Sequence, residues 1–451
     1  MAIDSQPKKR ILILGSGFGG LYTALHLEKN LARSPDIEIT LVNRENFFLF
    51  TPMLHEVAAS DLDFTHIVNP VRKLLHRVQF FHGDIKSIDL KEKRVMVAHS
   101  DDNHGHELSY DYLVLALGSV TNFYNLPGLA ENALTMKSLS DATRLRNHLI
   151  KNLEEADFEC CGTRRGRLLT VVVAGGGFAG VETIAAINDF IREAIGFYPR
   201  LKEAELRIVL IQATGEILPE LGPNLGIYAR RKLADRGVEF LMNTAVKSVL
   251  NREVTLSDGT AIETNTLLWT AGVSPNPLLD MLNCGKERGR LITNEFLEVN
   301  GNPGVWALGD CAAVPDSATG KACPPTAQHA FRQGKVAAHN IFAAIRGGRR
   351  KRFEFKTIGA LASIGRRTGV ARIMGVNFSG FIAWWMWRTI YLSKLPRFEK
   401  KVRVALDWTL DLLFSKDLVQ FMDVTSSNIS RAEALSVIKV ADDRPEDAEA
   451  A

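Results

Sequence analysis

Two stretches of the chain share one pattern of apolar and polar positions. In the first, the apolar run KRILIL at residues 9–14 leads into the glycine-rich GSGFGG and then into LYTALHLEKNL, which has helical periodicity. In the second, residues 168–190 read LLTVVVAGGGFAGVETIAAINDF and repeat the same order. A short, nearly continuous apolar run is typical of a strand that is buried on both faces of a parallel sheet. The pattern therefore predicts two strand–loop–helix units in an α/β chain.

The glycines of both loops have the spacing of a dinucleotide-binding turn. They are Gly15, Gly17 and Gly20 in the first loop and Gly175, Gly177 and Gly180 in the second. At this spacing the first glycine makes the tight turn, the second lets the backbone approach a pyrophosphate, and the third packs the helix on the strand. The N-terminus of the helix then faces the anion. One such loop is weak support for a nucleotide site, but two predict electron transfer between two dinucleotides, as in a flavoprotein reductase.

The strand after each loop ends in an amide where a ribose-binding acid is expected. After the first loop, IEITLV is followed by Asn43, Arg44 and Glu45, and after the second, LRIVLI is followed by Gln212. An amide can still hydrogen-bond a ribose, although more weakly than a carboxylate. Because Gln212 would not repel a 2′-phosphate and no arginine stands next to it, we expect NADH to be preferred and NADPH to be tolerated.

A third pattern lies near the C-terminus, where residues 381–392 are apolar on nearly every side of a helix. Such a helix must be buried or lie in lipid, and it is shorter than the roughly 20 apolar residues that span a bilayer. Tryptophan and tyrosine favour the boundary between membrane and water. We therefore expect four aromatic side chains of this helix at a membrane surface: Trp384, Trp385, Trp387 and Tyr391.

A second apolar helix is predicted from VRVALDWTLDLLF at residues 402–414, with Asp407 and Asp411 marking its polar side. Basic residues around both helices would lie near lipid phosphates: Arg388, Lys394, Arg397, Lys400, Lys401 and Arg403. The alternative is that both helices pack in a dimer interface or against the rest of the chain.

The bulk composition is that of a globular protein of two or three domains. The 451 residues carry a formal net charge of +4, which is too small to indicate a nucleic-acid partner. The five cysteines form no Cys-x-x-Cys or zinc pattern, and five is odd for a disulfide framework. The N-terminal sequence lacks the apolar core of a secretory signal, so a reducing cytosolic setting is expected.

Seven motifs together resemble the type II NADH:quinone oxidoreductases, the single-chain respiratory enzymes that do not pump protons. The motifs are GSGFGG, LVNRENFFLFTPMLHEVA, DYLVLALGSVTNFYNLPGL, VVVAGGGFAGVE, LLWTAGV, VWALGDCA and PPTAQHAFRQG, and the resemblance covers residues 9–415. It implies an α/β fold of two Rossmann-like dinucleotide-binding domains, for FAD and for NADH, followed by a C-terminal helical membrane-docking module.

The domain boundaries are predicted from the same motifs. They are residues 1–122 and 288–355 for the FAD-binding domain, 123–287 for the NADH-binding domain, 356–435 for the membrane module and 436–451 for a flexible acidic tail. Residues 161–168, CGTRRGRL, are expected to form a loop before the second apolar strand.

The resemblance also implies which residues hold the cofactors. The FAD site would include Gly15, Gly17, Phe18, Gly19, Gly20, Asn43, Arg44, Ala116, Gly118 and Asp310. The NADH site would include Gly175, Gly177, Phe178, Gly180, Glu182, Gln212, Ala271 and Gly272. On the quinone side stands the motif Ala327-Gln328-His329-Ala330-Phe331-Arg332-Gln333, in which Arg332 replaces a glutamine usual in the family.

The activity implied by the resemblance passes two electrons from NADH through bound FAD to a membrane quinone, with Glu182, Gln328 and Gln333 as catalytic residues. For Glu182 we expect nucleotide binding or proton handling; the alternative is an acid at a helix N-terminus that the helix dipole stabilises. The two glutamines are alternatively polar residues of a docking helix. The enzyme would be peripheral on the cytoplasmic face of the cell membrane, in contact with anionic lipid, and able to form a homodimer.

Three other functions fit parts of the pattern. A disulfide reductase needs a cysteine pair near residue 50, where FLFTPMLHEVA has none. A sulfide:quinone reductase needs spaced redox cysteines, whereas Cys160 and Cys161 are adjacent. A flavin or nucleotide sensor would share the loops and differ by failing to reduce a quinone.

Overall fold

The structure is a computed structural model, and it describes residues 8–99, 104–317 and 319–421. Two units built on parallel sheets and a smaller C-terminal unit make up this part of the chain. The acidic tail predicted at residues 436–451 lies outside the described residues.

The helices and strands follow one another as two α/β segments, a return segment and a C-terminal module. The first segment contains β1 (Lys9–Leu14), α1 (Phe18–Asn30), β2 (Ile37–Asn43), β3 (Phe47–Leu49), α2 (Leu54–Ala58), β4 (Val68–Pro70), α3 (Val71–Leu74), β5 (Gln79–His82), β6 (Asp84–Asp89), β7 (Arg94–Ala98), β8 (Gly105–Ser109) and β9 (Tyr112–Leu115). The second contains β10 (Ser119–Thr121), α4 (Leu129–Asn132), α5 (Leu139–Phe158), α6 (Gly162–Leu168), β11 (Thr170–Ala174), α7 (Phe178–Ala194), β12 (Arg207–Gln212), α8 (Pro223–Ala234), β13 (Val238–Met242), β14 (Val246–Leu250), β15 (Glu253–Leu256), β16 (Ala261–Glu263), β17 (Thr266–Trp269) and β18 (Val273–Pro275). The rest are β19 (Lys286–Glu287), β20 (Arg290–Ile292), β21 (Val305–Ala307), β22 (Ala312–Ala313), α9 (Ala327–Arg346), β23 (Gly359–Ser363), β24 (Gly369–Ile373), β25 (Val376–Gly380), α10 (Phe381–Lys394) and α11 (Phe398–Leu410).

A parallel five-stranded sheet in the order β21-β9-β1-β2-β5 carries the first glycine loop. Its central strand β1 is buried from Ile11 to Leu14, as the apolar run predicts. β1 pairs with β2 on one side and with β9 on the other, so the strand order reverses at its carboxyl end. Open α/β sheets bind their ligands at such a reversal.

A parallel four-stranded sheet in the order β13-β12-β11-β17 carries the second glycine loop. Its strand β11 is buried throughout and lies between β12 and β17, as β1 lies between β2 and β9. Both glycine loops therefore occupy the same topological position. The prediction of an α/β fold with two dinucleotide-binding units is confirmed.

The loop predicted at residues 161–168 is wrong, because α6 spans Gly162–Leu168. Two glycines in this short segment lower its intrinsic helix propensity, which is why the sequence indicates a loop. Tertiary contacts override that propensity: Leu168 is buried, and Arg165 Nε lies 3.1 Å from Glu205 Oε1.

The C-terminal module contains an antiparallel sheet, β23-β24-β25, in addition to the two predicted helices α10 and α11. Within the described ranges, no helix combines the length and apolar character that crossing a membrane requires.

The helix α11 packs one face against the protein, and its buried residues are Lys400, Val404 and Trp408. Asp407 bonds His66, and Lys400 Nζ donates to the Thr65 carbonyl at 2.6 Å. On the opposite side, apolar residues at four-residue spacing face solvent, with exposed fractions between 42% and 80%: Phe398, Val402, Leu406 and Leu410. Asp407 therefore lies on the packed face beside the buried Val404 and Trp408, and it does not mark a separate polar side of the helix.

Candidate active site

The first glycine loop forms a cradle for a phosphate group. Gly15 has φ +98°, and its N–H donates to the Val42 carbonyl at 2.8 Å. A Cβ on Gly20 would lie 1.8 Å from the Gly15 carbonyl oxygen, so only glycine lets α1 pack against the turn. A Cβ on Gly17, in contrast, would have none of the described atoms within 4 Å. This open space at the N-terminus of α1 fits the pyrophosphate of FAD.

The second loop repeats this geometry. Gly175 has φ +117° and donates to the Ile211 carbonyl at 2.9 Å. A Cβ on Gly180 would lie 1.8 Å from the Gly175 carbonyl oxygen, and a Cβ on Gly177 would again point into open space in the described structure. The two loops therefore have equivalent geometry at the starts of α1 and α7.

Asn43 and Gln212, where acids are expected, tie each glycine loop to the end of the next strand. Asn43 Oδ1 accepts from the Ser16 N–H at 3.0 Å. In the second loop Gln212 Oε1 accepts from the Gly176 N–H at 2.8 Å, and its Nε2 donates to Thr214 Oγ1 at 2.7 Å. The sequence predicts a ribose contact for both amides; their oxygens keep a second lone pair for it. Arg44, also expected at the FAD site, is exposed and pairs only with its neighbour Glu45 among described residues, at 3.5 Å.

The segments that follow β9 and β17 meet each other. The Asn122 N–H donates to the Gly272 carbonyl at 3.1 Å, and the Asn276 N–H donates to the Gly118 carbonyl at 3.2 Å. The antiparallel pair β10–β18 continues this seam. Residues expected at the FAD site and at the NADH site are thus brought side by side, which suits direct transfer of electrons between two bound nucleotides.

Asp310 lies at the end of a chain of hydrogen bonds beyond β21. It accepts from Ser119 Oγ at 2.6 Å, and Lys137 Nζ donates to Ser119 Oγ at 2.6 Å. Burial lowers the pKa of Lys137, and the Asp310 carboxylate opposes that shift. These hydrogen bonds hold the Asp310 carboxylate beyond the edge strand β21, where the resemblance implies the FAD site.

Glu182 is a buried carboxyl on α7. It begins the second turn rather than the first, because α7 starts at Phe178. Its Oε1 accepts from the Ser363 N–H and from Trp387 Nε1, each at 3.0 Å, and its Oε2 faces His55 Nδ1 at 4.0 Å. Burial raises the pKa of Glu182 to about 8, so the side chain is protonated at neutral pH. A neutral carboxyl gains little from a helix dipole, which disfavours the purely structural alternative.

A series of aromatic rings connects Glu182 with the first glycine loop. Ring centroids lie 4.8 Å apart for Trp387 and Tyr391, 6.2 Å apart for Tyr391 and Phe50, and 5.8 Å apart for Phe50 and Phe18. Phe18 is the first residue of α1. The C-terminal helix α10 is therefore connected to the start of α1 through Phe50.

Of the four aromatic side chains expected at a membrane surface, Trp385 is exposed at 57%. The expectation is wrong for Trp387, which is fully buried, and Tyr391 and Trp384 are only partly exposed. Among the basic residues expected near lipid, Lys400 is buried and Arg388 stacks 4.3 Å from the Trp384 ring centroid, whereas Lys394 and Arg403 are exposed. The Trp387 indole N–H, Lys400 and Arg388 thus have partners inside the protein.

A second buried carboxyl, Glu56 on α2, also accepts a hydrogen bond from an indole N–H. Its Oε2 accepts from Trp408 Nε1 at 3.1 Å. Burial raises the pKa of Glu56 to about 8, and the Arg388 guanidinium opposes this shift. The helices α10 and α11 thus each supply one indole to one buried carboxyl.

A cavity of about 380 Å³ lies beside these carboxyls. Its acidic lining residues are Glu56, Asp61, Asp189, Glu193 and Asp411. Its basic lining residues are Arg366, Arg367, Arg388 and Lys416. Lys416 and Asp61 form an ion pair across it. A cavity of this size with many polar partners holds water.

Replacing Glu56 by glutamine is expected to flatten the pH dependence of stability. Since the folded state binds a proton on Glu56 between its ordinary pKa near 4.5 and its raised pKa near 8, unfolding becomes easier as pH rises through that window. Each such group changes the free energy of unfolding by up to about 1.4 kcal/mol per pH unit. The amide oxygen of Gln can still accept from Trp408. Apparent melting temperatures at pH 5, 6, 7 and 8 would check this, and equal slopes for both proteins would contradict it.

The quinone-side motif begins α9, and its polar side chains have distinct partners. Gln328 Nε2 donates to the Gly359 carbonyl at 3.0 Å, which ties α9 to β23. Gln333 is buried and accepts from the Gly309 N–H at 2.8 Å, which positions the turn before Asp310. Arg332 stacks 3.9 Å from the Phe355 ring centroid. Within the motif, the partly buried Ala327 is the first residue of α9.

Sequence reasoning missed His55, Glu56, Ser363 and Trp408 around Glu182. They come from α2, β23 and α11, far apart in the chain, and the motif LHEVA gives no sign of burial for its two polar residues. The one usable signal is the high density of tryptophans near the C-terminus. That density also fits side chains that face lipid, which is the prediction made from the sequence.

The chain has relatives that span nearly its whole length. The family model described as pyridine nucleotide-disulphide oxidoreductase matches residues 9–334, and the NDH2 C-terminal domain matches residues 358–417. A type II NADH:quinone oxidoreductase from Mycobacterium tuberculosis is 33% identical over 91% of this chain and 90% of its own. A demethylphylloquinone reductase from Synechocystis sp. is 34% identical over 90% of this chain and 96% of its own.

Solved structures share the fold at lower identity. NDH2 from Plasmodium falciparum in complex with NADH has a TM-score of 0.85 at 20% identity, covering 91% of this chain and 100% of its own. The sulfide:quinone oxidoreductase from Aquifex aeolicus has a TM-score of 0.67 at 18% identity, covering 91% of this chain and 96% of its own. Sequence identity over the full length, together with the matching C-terminal domain, decides between these two, and the chain belongs to the type II NADH:quinone oxidoreductase family of enzymes.

Proposed function

We propose that this enzyme passes two electrons from NADH, bound over Gly175–Gly180, through FAD, bound over Gly15–Gly20, to a membrane quinone. The observation that carries the proposal is the pair of glycine loops with matching close contacts, whose flanking segments meet at Gly118 and Gly272. When bound, FAD supplies the two-electron acceptor and donor. The protein binds and orients both nucleotides, and α10 excludes water from the side covered by Trp387 and Tyr391.

We assign Glu182 as the residue that hands a proton to the reacting centre. Its raised pKa keeps a proton available near neutral pH, as an acid for catalysis requires. The Oε1 atom is fixed by Ser363 and Trp387, so the proton is carried on Oε2. Gln328 and Gln333 position α9 against β23 and the Asp310 turn on the quinone side.

The experiment that tests the function is an anaerobic absorbance trace of the flavin during addition of NADH and then of a short-chain quinone. Bleaching by NADH and recovery with quinone are expected. Bleaching without recovery would remove the quinone from the proposal, and absence of bleaching would contradict NADH as the donor.

The exposed apolar faces of α10 and α11 support docking on an anionic lipid surface, on the cytoplasmic side where NADH is available. The exposed residues are Phe381, Ile382 and Trp385 on α10, Phe398, Val402, Leu406 and Leu410 on α11, and Leu413 and Phe414 directly after α11. Exposed apolar area of this extent marks an interaction site. The exposed Lys394 and Arg403 add attraction to anionic headgroups.

The triple variant Trp385→Ser, Phe398→Ser, Leu413→Ser is expected to bind vesicles containing phosphatidylglycerol about 100-fold more weakly. Partial burial of each large apolar side chain in the interface contributes on the order of 1 kcal/mol, and every 1.4 kcal/mol is about tenfold. Vesicle cosedimentation measures the effect. The matched control is Phe158→Ser, which removes a 73% exposed aromatic from α5 and should leave binding unchanged.

Full vesicle binding by the triple variant would contradict lipid docking. If the triple variant instead changes the molecular mass in solution and not vesicle binding, the faces are a homodimer interface, and the lipid surface is excluded as their occupant.

Replacing Gln212 by glutamate is expected to lower activity with NADPH about tenfold relative to NADH. A carboxylate can still accept from the Gly176 N–H, and it would repel a 2′-phosphate by about 1.4 kcal/mol at a partly exposed site. The ratio of kcat/KM values for the two nucleotides is the measurement. The matched control is Asn43→Asp in the FAD loop, which should not move the ratio, and an unchanged ratio in Gln212→Glu would discard the idea.

A further inference from the structure

His55 lies between the cavity and Glu182. It lines the cavity, is 5% exposed, and places Nδ1 4.0 Å from Glu182 Oε2. Its other ring nitrogen, Nε2, is buried and has no hydrogen-bond partner among the residues described. Buried polar atoms in folded proteins almost always have a partner, either protein or ordered water. The polar cavity is the place from which water can supply it.

The reaction itself consumes a proton from water. NADH, quinone and one proton give NAD⁺ and quinol: the hydride brings two electrons and one proton, and the second proton must come from solvent. A buried Glu182 that has given up its proton must be protonated again before the next turnover.

We propose that His55 is a relay residue that carries this proton from water in the cavity to Glu182, and that the cavity is the inlet. This rests on the proposed proton-donating role of Glu182. A hydronium proton binds His55 Nε2 while the N–H bond at Nδ1 breaks and an O–H bond forms at Glu182 Oε2. No electrons change hands, and the ring returns to its first tautomer when the N–H bond at Nε2 breaks with its proton passing to cavity water and water supplies a proton to Nδ1.

The surroundings of His55 favour this coupled transfer over a mechanism in which the imidazole stays positively charged. Burial lowers the pKa of His55 to about 3, so the ring is neutral between transfers. The groups that face it are Glu182 from α7, Glu56 from its own helix and, across the cavity, Arg388, Asp411 and the Lys416–Asp61 pair. The Trp387 ring, with its centroid 5.5 Å from that of His55, holds the imidazole from the remaining side.

The test is stopped-flow reoxidation of the NADH-reduced enzyme by quinone, with the variant His55→Ala and added imidazole. Reoxidation is expected to slow by about 100-fold, the lower end of the range for loss of a proton-transfer group, while bleaching by NADH is unchanged. Imidazole should restore the rate in a saturable manner, and restoration should follow the neutral imidazole concentration as pH is varied. The matched control is His148→Ala, a partly buried histidine on α5, which should show neither effect.

A second variant, Ala186→Leu, fills the cavity from α7 and leaves His55 intact. It should slow reoxidation and not respond to imidazole. An unchanged rate in His55→Ala, or a slowed rate that imidazole does not restore, overturns the relay. A wild-type rate of reoxidation in Glu182→Gln would contradict the proposed role of Glu182. A slow rate in Glu182→Gln together with a wild-type rate in His55→Ala would contradict the relay and leave the role of Glu182 standing.

Discussion

Replacing Gly180 by alanine is expected to reduce NADH-driven bleaching of the flavin about 100-fold or more, while FAD stays bound. The added Cβ would lie 1.8 Å from the Gly175 carbonyl oxygen and 2.7 Å from Thr270 Oγ1. Because the first contact is with backbone, the loop or α7 must shift by more than an ångström. A displacement of that size at a binding site costs about 100-fold in rate. Anaerobic stopped-flow absorbance at saturating and limiting NADH measures the effect.

The repeated loop supplies the matched comparison for Gly180. Gly20→Ala meets the Gly15 carbonyl oxygen at the same 1.8 Å, but it should release FAD and leave the nucleotide unit intact. Gly166→Ala on α6 would meet no described atom within 4 Å and should behave as wild type. Normal bleaching in Gly180→Ala, or loss of FAD from it, would contradict the assignment of the second loop to NADH.

Replacing Glu182 by glutamine is expected to slow reoxidation by quinone about 100-fold, within the range for loss of a general acid, with bleaching by NADH retained. The amide oxygen can still accept from Ser363 and Trp387. The amide cannot supply a proton to the reaction.

The pH profile distinguishes this role from a structural one. In the wild type the proton-bearing form of Glu182 is present below its pKa near 8, so reoxidation should fall as pH rises above that value. In Glu182→Gln the slow reoxidation rate should no longer fall as pH rises above about 8. The matched control Glu154→Gln, which changes a carboxylate bonded to Tyr198 on the far side of the nucleotide unit, should keep the wild-type rate and profile. A wild-type profile in Glu182→Gln would reject the proton-donating role.

The glycine loops could be predicted from the sequence because their geometry depends on a few adjacent residues. The turn at Gly15 and the close contact at Gly20 are consequences of short-range sterics, and both loops follow the same rule. The same is true of α11, whose periodicity is visible in the chain.

The surroundings of Glu182 could not be predicted, because they depend on which distant surfaces meet. Trp387 reaches Glu182 across 205 residues, and Trp408 reaches Glu56 across 352. The apolar pattern of α10 is equally consistent with contact with lipid and with burial in the protein. In the structure Trp385 faces outward, whereas Trp387 is buried. Which side of α11 faces the protein was likewise undetermined, because both sides carry apolar residues: Val404 and Trp408 are buried, whereas Val402 and Leu406 are exposed.

The double use of α10 and α11 limits how this protein can be engineered. The helices whose outer faces are apolar are also the ones that deliver Trp387 and Trp408 to two buried carboxyls. A chain that ended before β23 would lack the outer apolar faces of these helices. It would also lack the two indoles and the Ser363 N–H that donate hydrogen bonds to Glu182 and Glu56. A detergent-free version of this enzyme must therefore be made by redesigning the outer surface of these helices residue by residue.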